Sequence, residues 1–153
     1  MSKFFSKISV VGLGYVGLPL LLTFGNRKFR TLGIDIDPDK LEKLSTGKSY
    51  LKHISGESIQ QLNTSSTNLF TNDFSKVKEA DAIILCVPTP LTKHREPELK
   101  YIINTCHEIS PHLRENQLIV LESTTYPGTT EEVIIPAIKN IDFRPSENFF
   151  IIF

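Results

Sequence analysis

The sequence has no apolar run long enough to cross a membrane as a helix, and its only cysteines are Cys86 and Cys106. The first shortage excludes a helical membrane span. The second excludes a disulfide framework and fits a reducing compartment, so the cytoplasm is the expected location. The first residues, MSKFFSKISVVG, carry an apolar stretch too short for a secretory leader. Net charge is missing as well: 17 Lys and Arg balance 17 Asp and Glu. That balance leaves no electrostatic footprint for nucleic acid or an anionic membrane, so an anionic ligand has to be held by local geometry. The four histidines, at 53, 94, 107 and 112, form no i,i+4 pair, and no metal site is expected.

What is present fits one soluble globular domain: 153 residues, 40% of them hydrophobic and 22% charged. Apolar runs of strand length alternate with amphipathic segments. Strands are expected over 7–11, 30–36, 68–71, 82–87, 117–121 and 149–153. Helices are expected over 15–26, from 38 to 47, briefly around 57–62, over 99–113 and over 129–139. The last strand, FFIIF, reads as buried on both faces. Strands alternating with helices predict an α/β fold with a parallel six-stranded sheet covered on both faces; read as a doubly wound Rossmann fold, its expected strand order is 3-2-1-4-5-6. Thr129, three residues before Glu132, predicts a capping box at the start of the last helix.

The first turn reads G-L-G-Y-V-G. It follows a strand and opens a helix, and a second strand ends in Ile34-Asp35. Gly12 permits the tight turn, Gly14 lets backbone approach a diphosphate, and Gly17 lets the helix pack close to the strand. Asp35, 18 residues after Gly17, is placed to accept from adenosine ribose hydroxyls and to repel a 2′-phosphate, so NAD is expected over NADP. Lys40 is either a second contact to the adenine-side ribose or phosphate, or a solvated helix residue.

Four stretches carry a resemblance: VVGLGYVGLPL (10–20), GIDIDPDK (33–40), CVPTPLTKHREP (86–97) and LESTTYPGTTEEV (121–133). Together they resemble the UDP-glucose/GDP-mannose type of nucleotide-sugar 6-dehydrogenase, and most of all the UDP-N-acetylglucosamine 6-dehydrogenases. The resemblance implies an NAD-dependent oxidation of a UDP-sugar C6 alcohol to the carboxylate in two hydride transfers, through a thiohemiacetal and a thioester on an enzyme cysteine. It implies that Tyr15 and Val16 line the diphosphate beside the three glycines, and that Thr89 and Thr124 position the nicotinamide half. It also implies that the catalytic Cys and Lys and a Ser-Pro-Glu acid lie beyond residue 153. Residues 1–153 are thus expected to be the dinucleotide-binding domain alone, inactive by itself and open to self-association through a face that a second domain covers. Cys86 and Cys106 read as inert buried thiols, and the charged loop 93–97 as either cleft-facing or solvated. Two other readings stay open: a stand-alone NAD-responsive binding module, and another nucleotide-using Rossmann enzyme such as a hydroxyacid dehydrogenase or a methyltransferase.

Overall fold

The computed structural model describes residues 6–93, 95–138 and 150–152. Its strands are β1 (Lys7–Val11), β2 (Arg30–Ile34), β3 (Leu69–Thr71), β4 (Ala82–Leu85), β5 (Leu118–Leu121) and β6 (Phe150–Ile152). The helices are α1 (Gly17–Asn26), α2 (Pro38–Ser45), α3 (Gly56–Asn63), α4 (Lys100–Ile109) and the short α5 (Ile135–Ala137). All six strands pair in parallel, in the order β3-β2-β1-β4-β5-β6. The expected winding is therefore the observed one, and the order reverses between β1 and β4.

Successive strand residues point to opposite faces, so each strand feeds two cores. On one face Ile8, Val10, Ile84 and Leu13 pack with Leu18, Leu21 and Leu22 of α1, Leu44 of α2, and Ile59 and Leu62 of α3. On the other face Val11, Leu32, Ile34, Ile83, Leu85, Ile119 and Leu121 pack with Ile102, Cys106 and Ile109 of α4 and with Ile134 and Ala137. Double coverage is why β1, β2 and β4 lack an alternating polar pattern. The outer strand β6 departs from it. Phe150 and Ile152 are 48% and 52% exposed, so this strand is covered on one side only, and the expectation of two buried faces fails for it. Its neighbours at 149 and 153 lie outside the described residues.

The last helical segment also differs from expectation. It runs as a π turn, Thr130–Ile134, followed by α5, and it contains Pro136, which gives no N–H to a helical ladder. Residue 139 lies outside the described residues. No capping box forms. Thr129 already has helical dihedrals, φ −54° and ψ −35°. Its hydroxyl folds back to donate to the Tyr126 carbonyl at 2.7 Å, and the Glu132 amide bonds the Gly128 carbonyl.

The end of the sheet where the strands begin is tied down by Asp81. Its Oδ2 accepts from the amides of Ser6 and Lys7 at 2.8 and 3.0 Å, and its Oδ1 accepts from Arg114 Nη2 at 2.8 Å. Partial burial alone would raise this carboxyl, but the hydrogen bonds from Ser6, Lys7 and Arg114 outweigh it and hold it below its ordinary value. A carboxyl with a depressed folded pKa stabilises the fold above its unfolded value, and that contribution disappears as pH falls through the folded one. Asp81→Asn is expected to cost about 1–2 kcal/mol at neutral pH. Thermal melts across a pH series should show the gap to the parent narrowing below about pH 4. A gap that stays constant to low pH would contradict this assignment.

Candidate functional site

The opposite end of the sheet, where β1, β2, β4 and β5 finish, opens into a cleft of about 1140 Å³. Ligands of open α/β sheets bind in such a crevice, at the point where strand order reverses. The chain builds the floor with two close approaches. Gly12 has φ +92°, and a Cβ there would meet the Cys86 carbonyl oxygen at 2.5 Å; a Cβ on Gly17 would meet the Gly12 carbonyl oxygen at 1.8 Å. The Gly12 amide donates to the Ile34 carbonyl at 2.8 Å, and the Cys86 amide to the Val11 carbonyl at 2.8 Å. The turn is thereby locked between its two neighbouring strands. Gly14 is different: a Cβ there would meet nothing within 4 Å. Its lack of a side chain serves no internal packing and leaves the cleft side of the turn open.

Helix α1 starts at this opening without a side-chain cap and with no acidic residue in its first turn. By contrast, Asp37 caps α2 and Ser55 caps α3. Among the described residues, the amides of Gly14, Tyr15 and Val16 donate to nothing. Unused amides at a helix start, with the positive end of the helix dipole, make a site for an anion.

Asp35 sits beside the turn and is 6% exposed. Its Oδ2 accepts from the Leu13 amide at 2.8 Å and from Lys40 Nζ at 3.2 Å, and its Oδ1 accepts from the Asp37 amide at 3.0 Å. A carboxylate offers about four acceptor positions, so one remains for a ligand hydroxyl while the others hold the turn to β2. Lys40 is therefore not a freely solvated helix residue; it is ion-paired to Asp35 at the cleft wall.

On the far side, the Ser123 hydroxyl donates to the Val87 carbonyl at 2.8 Å, and the Glu122 amide to the Leu85 carbonyl at 2.9 Å. These bonds bring the loops after β4 and β5 together and place Thr89 and Thr124 on the same cleft wall. Cys86 also lines the cleft, yet burial and the Glu122 carboxylate push its thiol up to about 12. Burial does the same to Cys106. Both thiols stay protonated near neutral pH and are poor nucleophiles.

Of the residues expected from sequence, Gly12, Gly14, Tyr15, Val16, Asp35, Lys40, Thr89 and Thr124 all line the cleft, and Gly17 does not. Gly17 serves the packing behind the turn. Residues 91–93 and 95–97 of the charged loop close on themselves, with a Leu91–Pro97 bridge and the Thr92 amide on the Glu96 carbonyl; Lys93, Arg95 and Glu96 line no part of the cleft. His94 lies outside the described residues. Several lining residues are not among those expected. Ile36, 75% exposed and two residues past β2, presents an apolar surface, and Asn72 and Phe74 close that end. Tyr101, Asn104, Thr105 and Glu108 form the facing side of α4. Their 3–4-residue spacing beside the buried stripe Ile102–Cys106–Ile109 is visible in the sequence. Which side of that stripe meets a cleft is not.

Residues 6–151 match the profile of the UDP-glucose/GDP-mannose dehydrogenase family, NAD binding domain. Protein CapL of Staphylococcus aureus is 35% identical over 133 residues, which cover 87% of this chain and 30% of that protein. The UDP-N-acetyl-D-glucosamine 6-dehydrogenase of Pseudomonas aeruginosa is 32% identical over 145 residues, covering 94% of this chain and 33% of that protein. Among solved structures, a ternary complex of GDP-mannose dehydrogenase from Pseudomonas aeruginosa superposes with a TM-score of 0.88 at 31% identity, over 94% of this chain and 34% of that one. The chain thus spans about a third of the length of the curated relatives it matches.

Proposed function

This chain belongs to the UDP-glucose/GDP-mannose dehydrogenase family, as its NAD-binding domain, and from that premise we propose a residue-level assignment of the cleft. The amides of Gly14, Tyr15 and Val16 hold the diphosphate, and Gly12 and Gly17 shape the turn that presents them. Asp35 accepts from the adenosine ribose, with Lys40 beside it, and Ile36 and Phe74 flank the adenine. Thr89 and Thr124 hold the nicotinamide half. The observation that carries this assignment is the uncapped start of α1, with three unused amides, that of the open Gly14 among them, one strand away from a buried carboxylate.

In the whole protein, we propose, the reaction is oxidation of the C6 alcohol of a UDP-N-acetylhexosamine, for which NAD supplies the hydride acceptor. The part played by residues 1–153 is to bind and orient. The two thiols are buried and held protonated, which supports the proposal that residues 1–153 by themselves turn over no nucleotide sugar.

Calorimetric titration with NAD, NADP and S-adenosylmethionine tests the assignment. NAD should bind most tightly, with NADP at least tenfold weaker because its 2′-phosphate meets the Asp35 carboxylate. Tighter binding of NADP would contradict the role given to Asp35. Tighter binding of S-adenosylmethionine would overturn the assignment as a whole.

A further inference from the structure

The segment between α2 and α3 reaches back to the glycine turn twice: the His53 ring stacks on Tyr15 at 6.2 Å, and the Tyr50 side chain, which lines no part of the cleft itself, reaches Leu13. The hydroxyl of Tyr50 donates to the Leu13 carbonyl. Its ring lies beneath the Lys40 ammonium, which is 5.9 Å from the ring centroid. Lys40 donates to Asp35 Oδ2, the same oxygen that accepts the Leu13 amide. The contacts close a ring: Leu13 carbonyl, Tyr50, Lys40, Asp35, Leu13 amide. Both polar groups of Leu13 are thereby fixed, and the unused amides begin with the next residue. Burial, reinforced by the charges of Asp35 and Asp37, pushes the Tyr50 phenol far above its ordinary range, so the hydroxyl remains a donor.

We propose that Tyr50 is a positioning residue for the cofactor, with two separable parts. Its hydroxyl sets the Leu13–Gly14 peptide so that the amides after it face the diphosphate. Its ring keeps the Lys40 ammonium against Asp35 at the ribose. The proposal rests on the reading of this cleft as the NAD site. The hydroxyl acts where a small rotation matters: a carbonyl freed from its donor can turn, and the neighbouring peptide planes turn with it. The ring acts on a side chain that is one third exposed, which water would otherwise draw away from the carboxylate.

Two variants and three ligands separate these parts. Tyr50→Phe keeps the ring and loses the hydroxyl; Tyr50→Leu loses both. Binding of NAD, ADP-ribose and adenosine is measured by calorimetry and NMR titration, with a thermal melt of each variant as a check on folding. For Tyr50→Phe, NAD and ADP-ribose should each bind about 5- to 10-fold more weakly, while adenosine, which has no phosphate, is unchanged. For Tyr50→Leu, adenosine should weaken too, because Lys40 is released. An equal loss for all three ligands in Tyr50→Phe would mark a general packing defect and overturn the proposal. NAD binding by Tyr50→Phe equal to the parent would overturn it while leaving the NAD site intact. A parent chain that binds no NAD would overturn the site and the proposal together.

Discussion

Replacing Gly14 with alanine should leave the melting temperature of the chain almost unchanged and lower its NAD affinity about a hundredfold. Replacing Gly17 with alanine should do the reverse first: it should destabilise the fold by roughly 3 kcal/mol, which is about 6–12 °C in melting temperature for a domain of this size. The contrast follows from where each added carbon would go. At Gly14 the methyl meets nothing within 4 Å, so the chain folds as before. The methyl then stands on the open side of the turn, where the diphosphate has to approach the amides. At Gly17 the methyl would sit 1.8 Å from the Gly12 carbonyl oxygen. Gly12 cannot yield, because its own amide is bonded to Ile34 and its φ is +92°. The helix-propensity gain of alanine over glycine, at most ~1 kcal/mol, does not offset that overlap. Melting curves and NAD titrations of the two variants decide the matter. If Gly14→Ala lost stability and kept NAD, the turn would be a structural feature with no ligand on it.

Asp35→Asn carries the second large effect. The substitution keeps a hydrogen-bond acceptor for the Leu13 amide but removes the charge. NAD affinity should fall about 10- to 100-fold, the range of a hydrogen bond to a charged group, and Lys40 loses its ion-pair partner. NADP affinity should fall much less or rise, because the 2′-phosphate no longer faces a carboxylate, while Lys40 remains nearby as a cation. Titrating parent and variant with both dinucleotides gives the ratio directly. A variant in which NAD and NADP weaken by the same factor would show that Asp35 acts only as a brace for the turn. The brace itself is real, since Leu13, Asp37 and Lys40 all donate to that carboxylate.

Much of this site is legible in the amino-acid sequence, for a physical reason. Glycine at 12, 14 and 17, an apolar run on either side, and an acid at 35 are local features, and each constrains backbone within a few residues. The alternation gives a parallel, doubly covered sheet, and the glycine turn with the acid at 35 singles out the observed order among the right-handed windings. What is not legible depends on contacts across the fold. Tyr50 lies in a polar stretch with no periodicity, and only the return of that loop onto Leu13 gives it a role. Gly17 is the exception, since its place in the glycine spacing already predicts the close packing of helix on strand that it makes behind the turn. Thr129 carries the spacing of a capping box, yet the helix has already begun at its own dihedrals, and its hydroxyl goes to Tyr126. The outermost strand, at 150–152, is as apolar as the central ones, and its edge place follows from the expected order; that Phe150 and Ile152 stand exposed does not show in so apolar a run.

The most direct test of the central claim is an amide NMR titration of the isotope-labelled chain with NAD. The account predicts that the backbone signals of Gly14, Tyr15 and Val16 shift most, with Asp35, Thr89 and Thr124 following, while Ser6, Lys7 and Asp81 at the other end of the sheet stay still. Shifts concentrated around Asp81 and Arg114, or no change at the start of α1 under saturating NAD, would contradict it.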